Sequence, residues 1–279
     1  MRKLPFYQLD VFSAVPFKGN PLAVIAEADG LDDAQMQTIA NWTNLSETTF
    51  LLRPRDATAD YHVRIFTPTR ELPFAGHPTL GSCHAWLALG HQPRDETVIQ
   101  ECGAGLVRVK RDGARLAFAA PPLQRSGEVA PDLRSRIAAS LGLAEPAIKA
   151  AQWVDNGPGW VAVMLGSRQE VLQLKRDASV LPGQPLGVVA PWDAACDGSE
   201  AQFEVRAFTS RGDNEDPVTG SLNASLAQWL IGAGLAKPRY VASQGTALGR
   251  AGRVHVAREG DTIWIGGDVA GCVTGTITL

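Results

Sequence analysis

Val63-Arg64-Ile65-Phe66-Thr67 leads through Glu71 to Gly76-His77 and the apolar series Leu80, His84, Leu87. Much further along, Val205-Arg206-Ala207-Phe208-Thr209 leads through Asp213, Glu215 and Asp216 to Gly220-Ser221 and then Leu222, Leu226, Trp229, Leu230. Both stretches read as a β-rich strand, an irregular acidic turn, a glycine followed by a polar residue, and an apolar helix ending at glycine, Gly90 in one and Gly232 in the other. The second needs only two extra residues between strand and glycine. Coincidence between two strand–turn–helix units is the simpler explanation. Duplication is the sharper one, and it predicts two similar halves about a pseudo-twofold axis with their Gly-polar turns facing a shared cleft. Two copies at so long a period exclude a solenoid, which needs about three repeats or more.

The flanking sequence fits an α+β chain. Tyr7 to Phe12 alternates as a strand does, and Leu22 to Ala26 is a short apolar run after the Gly19-Asn20-Pro21 turn. Asp32 suits an N-cap, with Met36, Ile39 and Ala40 on one helical face. The chain leaves that helix through Asn44-Leu45-Ser46-Glu47 into the β-rich Thr48-Thr49-Phe50-Leu51-Leu52, which puts Glu47 at a helix-to-strand junction. Pro121-Pro122 marks the crossing between halves. The expected division is 1–120 and 121–279, with residues 266–279 returning to the first half.

Composition sets the function class. The 279 residues are 45% hydrophobic and 20% charged, which is average for a folded globular chain. Net charge is −3 and the basic residues are scattered, so there is no electrostatic footprint for nucleic acid. No apolar run approaches the ~18 residues of a membrane span, and Pro5, Gln8 and Asp10 interrupt the start, so no signal sequence is read there. The expected location is the cytoplasm. Cys83, Cys102, Cys196 and Cys272 are far apart and read as reduced thiols, and the five histidines show no metal-ligand spacing. A dinucleotide fingerprint fails at Cys102-Gly103-Ala104-Gly105, because Arg108 stands where the third glycine belongs. Neither a metal nor an organic cofactor is expected.

The residues left to carry chemistry cluster at the repeat. Gly76-His77-Pro78 and Gly220-Ser221 each stand where a helix begins; Pro78 suits the first turn and Ser221 an N-cap. Amide N–H groups at such starts lack partners and carry partial positive charge, so they favour a carboxylate or its enolate-like form. Glu47, between polar Ser46 and an apolar strand, is placed for partial burial, which raises a carboxyl pKa and suits a general base that later acts as acid. Asp216 is held by Pro217 beside the second turn. Each has a plainer reading when taken alone: His77 and Ser221 as caps, Glu47 as a solvent-facing strand residue, Asp216 as an Asx turn.

Gly19-Asn20-Pro21-Leu22-Ala23-Val24, Asn44-Leu45-Ser46-Glu47-Thr48-Thr49-Phe50, Phe66-Thr67-Pro68, Glu71-Leu72-Pro73-Phe74-Ala75-Gly76-His77-Pro78-Thr79, Glu215-Asp216-Pro217, Thr219-Gly220-Ser221, and Gln244-Gly245 with Gly249-Arg250 occur together in one order. In these blocks, which span residues 19 to 250, the chain resembles the PhzF-like (phenazine-biosynthesis) family. The resemblance implies the diaminopimelate-epimerase-like fold: two pseudo-symmetric α+β halves, each a curved sheet wrapped around a central helix. It implies a cofactor-independent isomerase, with Glu47 as acid/base, His77, Asp216 and Ser221 as further active-site residues, and the turns at Gly76-His77 and Gly220-Ser221 as carboxylate-binding positions. The family's best-known member shifts a proton between ring carbons of trans-2,3-dihydro-3-hydroxyanthranilate. A small carboxylate is therefore the expected partner, with room for a homodimer.

This chain departs from the family at Leu222-Asn223, where small residues are common, and at Val218, which replaces a common alanine. Two other readings stay open. A cysteine-type racemase or epimerase needs thiols at the two turns, which here hold His77 and Ser221. A non-catalytic binder of small acids needs only the turn amides.

Overall fold

A strand that is buried on both faces needs a packed layer on each side. Phe203–Phe208 is buried at all six positions and Asn20–Ile25 at five of six. Such strands are supplied with helices on both faces in the computed structural model, which describes residues 1–212 and 214–279. Asp213, one of the repeat's acidic residues, lies outside the described residues. The chain divides into two units: Met1–Ala119 with Gly266–Leu279, and Ala120–Ile265.

In the first unit the strand order is Val269–Thr278, Lys3–Val11, Asn20–Ile25, Thr48–Leu52, Tyr61–Phe66, Thr97–Cys102, Gly105–Asp112, Arg115–Ala119. Asn20–Ile25 runs parallel to Thr48–Leu52, and Tyr61–Phe66 parallel to Thr97–Cys102; the other neighbours are antiparallel. Helix α1 (Asp33–Thr43) starts at a capping box, Asp32 accepting from the Gln35 amide while Gln35 reaches back, and it lays Met36, Ile39 and Ala40 on Ile25, Phe50 and Phe66. Helix α2 (Gly76–Ala88) has ten of its thirteen residues buried and touches all eight of those strands, so the sheet curves around it. Two glycines, a proline and a threonine make α2 a poor helix on propensity, and burial on every side is what sustains it. Gly81 allows the closest approach, since a Cβ there would stand 2.4 Å from Leu22 Cδ2.

The second unit repeats these pairings. Its order is Arg125–Glu128, Ala150–Asp155, Val161–Met164, Leu186–Pro191, Phe203–Phe208, Arg239–Gln244, Gly252–Glu259. Val161–Met164 runs parallel to Leu186–Pro191, and Phe203–Phe208 parallel to Arg239–Gln244. The short strand Glu215–Asp216 lies on Phe203–Phe208 just as Glu71–Leu72 lies on Tyr61–Phe66. Helices α3 (Pro131–Ser140) and α4 (Arg168–Gln173) cover one face, where Ile137 and Val171 meet Val161, Val163, Leu186 and Val188. Helix α5 (Gly220–Gly232) lies on the other, against Ala150–Asp155 and Gly252–Glu259, with Leu222 filling the space above Gly187.

Both helices stop at glycine as expected: Gly90 follows α2 with φ 90°, and Gly232 is the last residue of α5. Ala233 stays right-handed and Gly234, at φ 71°, makes the turn. Among the described residues no helix is long and apolar enough to cross a membrane.

Candidate active site

Asn20 is delivered by a tight turn. The Gly19 N–H donates to the buried Asp10 carboxylate at 3.2 Å, and a Cβ on Gly19 would stand 2.4 Å from the Val11 carbonyl oxygen. Phe12 and Phe17, at φ 66° and 67°, hold left-handed backbone in the same loop, a conformation non-glycine residues keep only where their surroundings enforce it. The fully buried Asn20 then places its amide nitrogen 3.3 Å from His77 Nδ1.

His77 is the second residue of α2. Its other ring nitrogen, Nε2, stands 3.3 Å from Glu47 Oε2. That approach lies off the line of a full hydrogen bond, as catalytic contacts often do before substrate tightens them. The Glu47 side chain keeps 16% of its exposure and that of His77 5%, so the carboxylate is reachable while the imidazole is sealed. Burial pushes the His77 pKa down to about 3, and the ring is therefore neutral at pH 7. Helix α1 ends at Asn44, whose left-handed backbone (φ 54°) turns the chain so that Glu47 immediately precedes the buried strand Thr48–Leu52. Ala75, the N-cap of α2, has no side-chain group to cap the amides of Gly76 and His77.

The second unit opens α5 by another route. Thr219 is its N-cap, a residue type that ordinarily caps with its hydroxyl, yet Thr219 Oγ1 donates to Asp216 Oδ2 at 2.6 Å and accepts from Gln244 Nε2 at 3.0 Å. The hydroxyl is drawn away and the Gly220 and Ser221 amides are left uncapped. This corrects the expectation that Ser221 is the N-cap. Ser221 is inside the helix, where its Oγ accepts from Trp160 Nε1 at 3.1 Å and its carbonyl from Asn156 Nδ2 at 3.0 Å.

Sequence reasoning gave no role to two buried glutamines that fix these helix starts. Gln100 Nε2 donates to Thr79 Oγ1 at 3.0 Å and its Oε1 accepts from Tyr61 OH at 2.9 Å. Gln244 is saturated: Oε1 accepts from the Thr219 amide and from Asn223 Nδ2, and Nε2 donates to the Asp216 carbonyl and to Thr219 Oγ1. Each stands twenty-four residues beyond the glycine that opens its helix, and that equal spacing is the signal that identifies them. Gln244→Met is expected to lower stability by about 1–3 kcal/mol, because the Thr219 amide and the Asn223 side chain lose a buried acceptor. Urea denaturation measures this, and an unchanged midpoint contradicts it.

The thiols do not occupy the turns. Cys83 is buried in α2, where burial pushes its pKa up to about 12, so at neutral pH it is not a nucleophile.

The family described as "Phenazine biosynthesis-like protein" matches residues 9–272. The chain is 35% identical to the fission yeast Schizosaccharomyces pombe protein named antisense-enhancing sequence 1, with 99% of each chain covered. It is 33% identical to the trans-2,3-dihydro-3-hydroxyanthranilate isomerase of Pseudomonas fluorescens, over 90% of this chain and 89% of that one. Among solved structures, a PhzF-family protein of Enterococcus faecalis superposes with a TM-score of 0.83 at 28% identity, covering 100% of both chains. The architecture is thus the α+β, diaminopimelate-epimerase-like one. Given the family match over residues 9–272 and relatives that bear the name isomerase, the chain belongs to the phenazine biosynthesis-like family and is an isomerase.

Proposed function

We propose that the chain moves a proton on a small carboxylate, shifting a double bond, with Glu47 removing the proton from one carbon and returning it to another. The observation that carries this reading is the Glu47 carboxylate, partly exposed, beside a sealed and neutral His77 at the uncapped start of α2. Glu47 can reach a substrate; His77 serves to orient it and the substrate rather than to exchange protons. The amides of Gly76 and His77 offer partial positive charge to a carboxylate and to the enolate-like charge that develops as the proton leaves. In the second unit Gly220 and Ser221 present amides of the same kind, with Asp216 bonded to Thr219 beside them, and we propose a polar, substrate-binding role for these residues too. Proton transfer neither adds nor removes electrons, so the reaction calls for no redox cofactor.

The Pseudomonas fluorescens relative is named for trans-2,3-dihydro-3-hydroxyanthranilate, and that acid is the first substrate to try. Turnover in D2O is expected to place one deuterium on a ring carbon of the product, read by mass spectrometry and proton NMR. A protein that binds such acids and yet neither converts them nor exchanges any ring C–H is a binder, and the proposal fails.

A further inference from the structure

We infer that Asn20 and Trp160 are positioning residues that make the second side chain of each site helix, His77 in α2 and Ser221 in α5, a hydrogen-bond donor. The inference rests on the reading of these residues given under the proposed function, and it adds a polarity that the reading leaves open.

Both units use the same place in the sheet. Asn20 opens the strand Asn20–Ile25, and Trp160 immediately precedes Val161–Met164. In each unit that strand pairs antiparallel with the one before it and parallel with the one after it. Asn20 is fully buried and Trp160 is 4% exposed, so neither exchanges its partner for water. The donor groups are an amide nitrogen 3.3 Å from His77 Nδ1 and an indole nitrogen 3.1 Å from Ser221 Oγ.

Hydrogen-bond arithmetic does the rest. An amide NH2 and an indole N–H can only donate. A neutral imidazole has one donor and one acceptor nitrogen, so a donor at Nδ1 makes Nδ1 the acceptor and leaves the proton on Nε2. Nε2 is the atom 3.3 Å from Glu47 Oε2. Glu47 therefore faces an N–H rather than a lone pair, and His77 has no vacant lone pair with which to take the substrate's proton. Ser221 Oγ likewise accepts from Trp160, which turns the hydroxyl proton away from the indole, and among the described residues no acceptor meets that proton. Both positions thus address acceptor atoms, carboxylate or carbonyl oxygens, and an ammonium group at either one meets a donor. Selection of an acid by its oxygens follows.

The tautomer is read directly from two-bond 1H–15N spectra of histidine-labelled, full-length protein at pH 7, with His77 assigned by its loss in His77→Asn. The expected result is a protonated Nε2 and a bare Nδ1. A proton on Nδ1 overturns the inference for Asn20, and this measurement reads the wild-type ring and needs no turnover, so it stands apart from whether Glu47 carries the substrate's proton. In Asn20→Asp the carboxylate accepts only; the proton should move to Nδ1, and turnover should fall about 10- to 100-fold, as it does when an outer partner of a functional histidine is lost. Retention of the wild-type ring spectrum in that variant is the second overturning result. For Ser221, Trp160→Phe keeps an aromatic ring, though a smaller one, and deletes the N–H, with an expected loss of about 3- to 10-fold in kcat/KM. The double variant with Ser221→Ala should lose no more than Ser221→Ala alone, since the indole acts through that hydroxyl. Independent, multiplying losses show that Trp160 only packs.

Discussion

Glu47→Gln is expected to lower turnover by about 100- to 10,000-fold while the protein keeps its fold and its affinity for the substrate acid. The amide matches the carboxylate in size and can still accept from His77 Nε2, 3.3 Å away. It cannot take up a proton. A group that both removes and returns the proton is used twice per turnover, which puts the loss at the upper end of that range or beyond. Stability should change little, because the side chain is partly exposed and the ring it faces, His77, is neutral at pH 7. His77→Asn and Asp216→Asn should lose less, since in this reading they orient rather than exchange protons. The three variants are compared on one substrate, with ligand-induced thermal shift as the measure of binding. If Glu47→Gln keeps more than about a tenth of wild-type turnover, general-base loss is ruled out for it, and Asp216 becomes the first residue to test.

What the sequence revealed and what it hid divide along the distance over which residues interact. The repeat was legible because each copy is a local run: a strand, a turn and a helix whose order needs no knowledge of the rest of the chain. The α1 cap at Asp32 and the Glu47 junction were legible for the same reason, their determinants lying within a few residues. The N-cap of α5 was misread because Thr219's hydroxyl is claimed by Asp216 and by Gln244, the latter twenty-five residues away, and only tertiary structure supplies Gln244. Gln100 and Gln244 look like surface residues of mixed strands until the parallel pairing with Tyr61–Phe66 and Phe203–Phe208 buries them beside the helix starts. Asn20 stands in a motif visible in the sequence, but its bond to His77 spans fifty-seven residues. The function class was legible through family resemblance. The polarity of the site was not, because it depends on which nitrogen faces which neighbour.

The duplicated arginine gives the last expected result, a contrast between two copies of one interaction. Arg64 clasps Glu71 with Nε–Oε1 at 2.7 Å and Nη2–Oε2 at 2.6 Å, and Arg206 clasps Glu215 with the same atoms at 3.0 and 2.7 Å. Each guanidinium also lies over the phenylalanine two residues on, Phe66 at 5.0 Å and Phe208 at 4.9 Å. Their settings differ. Glu71 keeps 42% of its side-chain exposure and the third partner of Arg64 is Asp33, at 85%; Glu215 keeps 7%, and Arg206 spends its remaining nitrogen on the carbonyls of Val171 and Leu174 at the end of α4. An exposed pair is screened by water and is worth about 0–1 kcal/mol. Removing one member of a buried pair leaves an uncompensated charge, at about 3–5 kcal/mol, and here it also strips two helix-end carbonyls of their donor. Arg206→Met should therefore cost several times what Arg64→Met does, although the two substitutions delete the same fork from matching strands. Urea denaturation of the full chain, with the two variants side by side, measures the difference. Equal losses would show that burial does not separate the copies, and that the second pair is solvated in the folded protein.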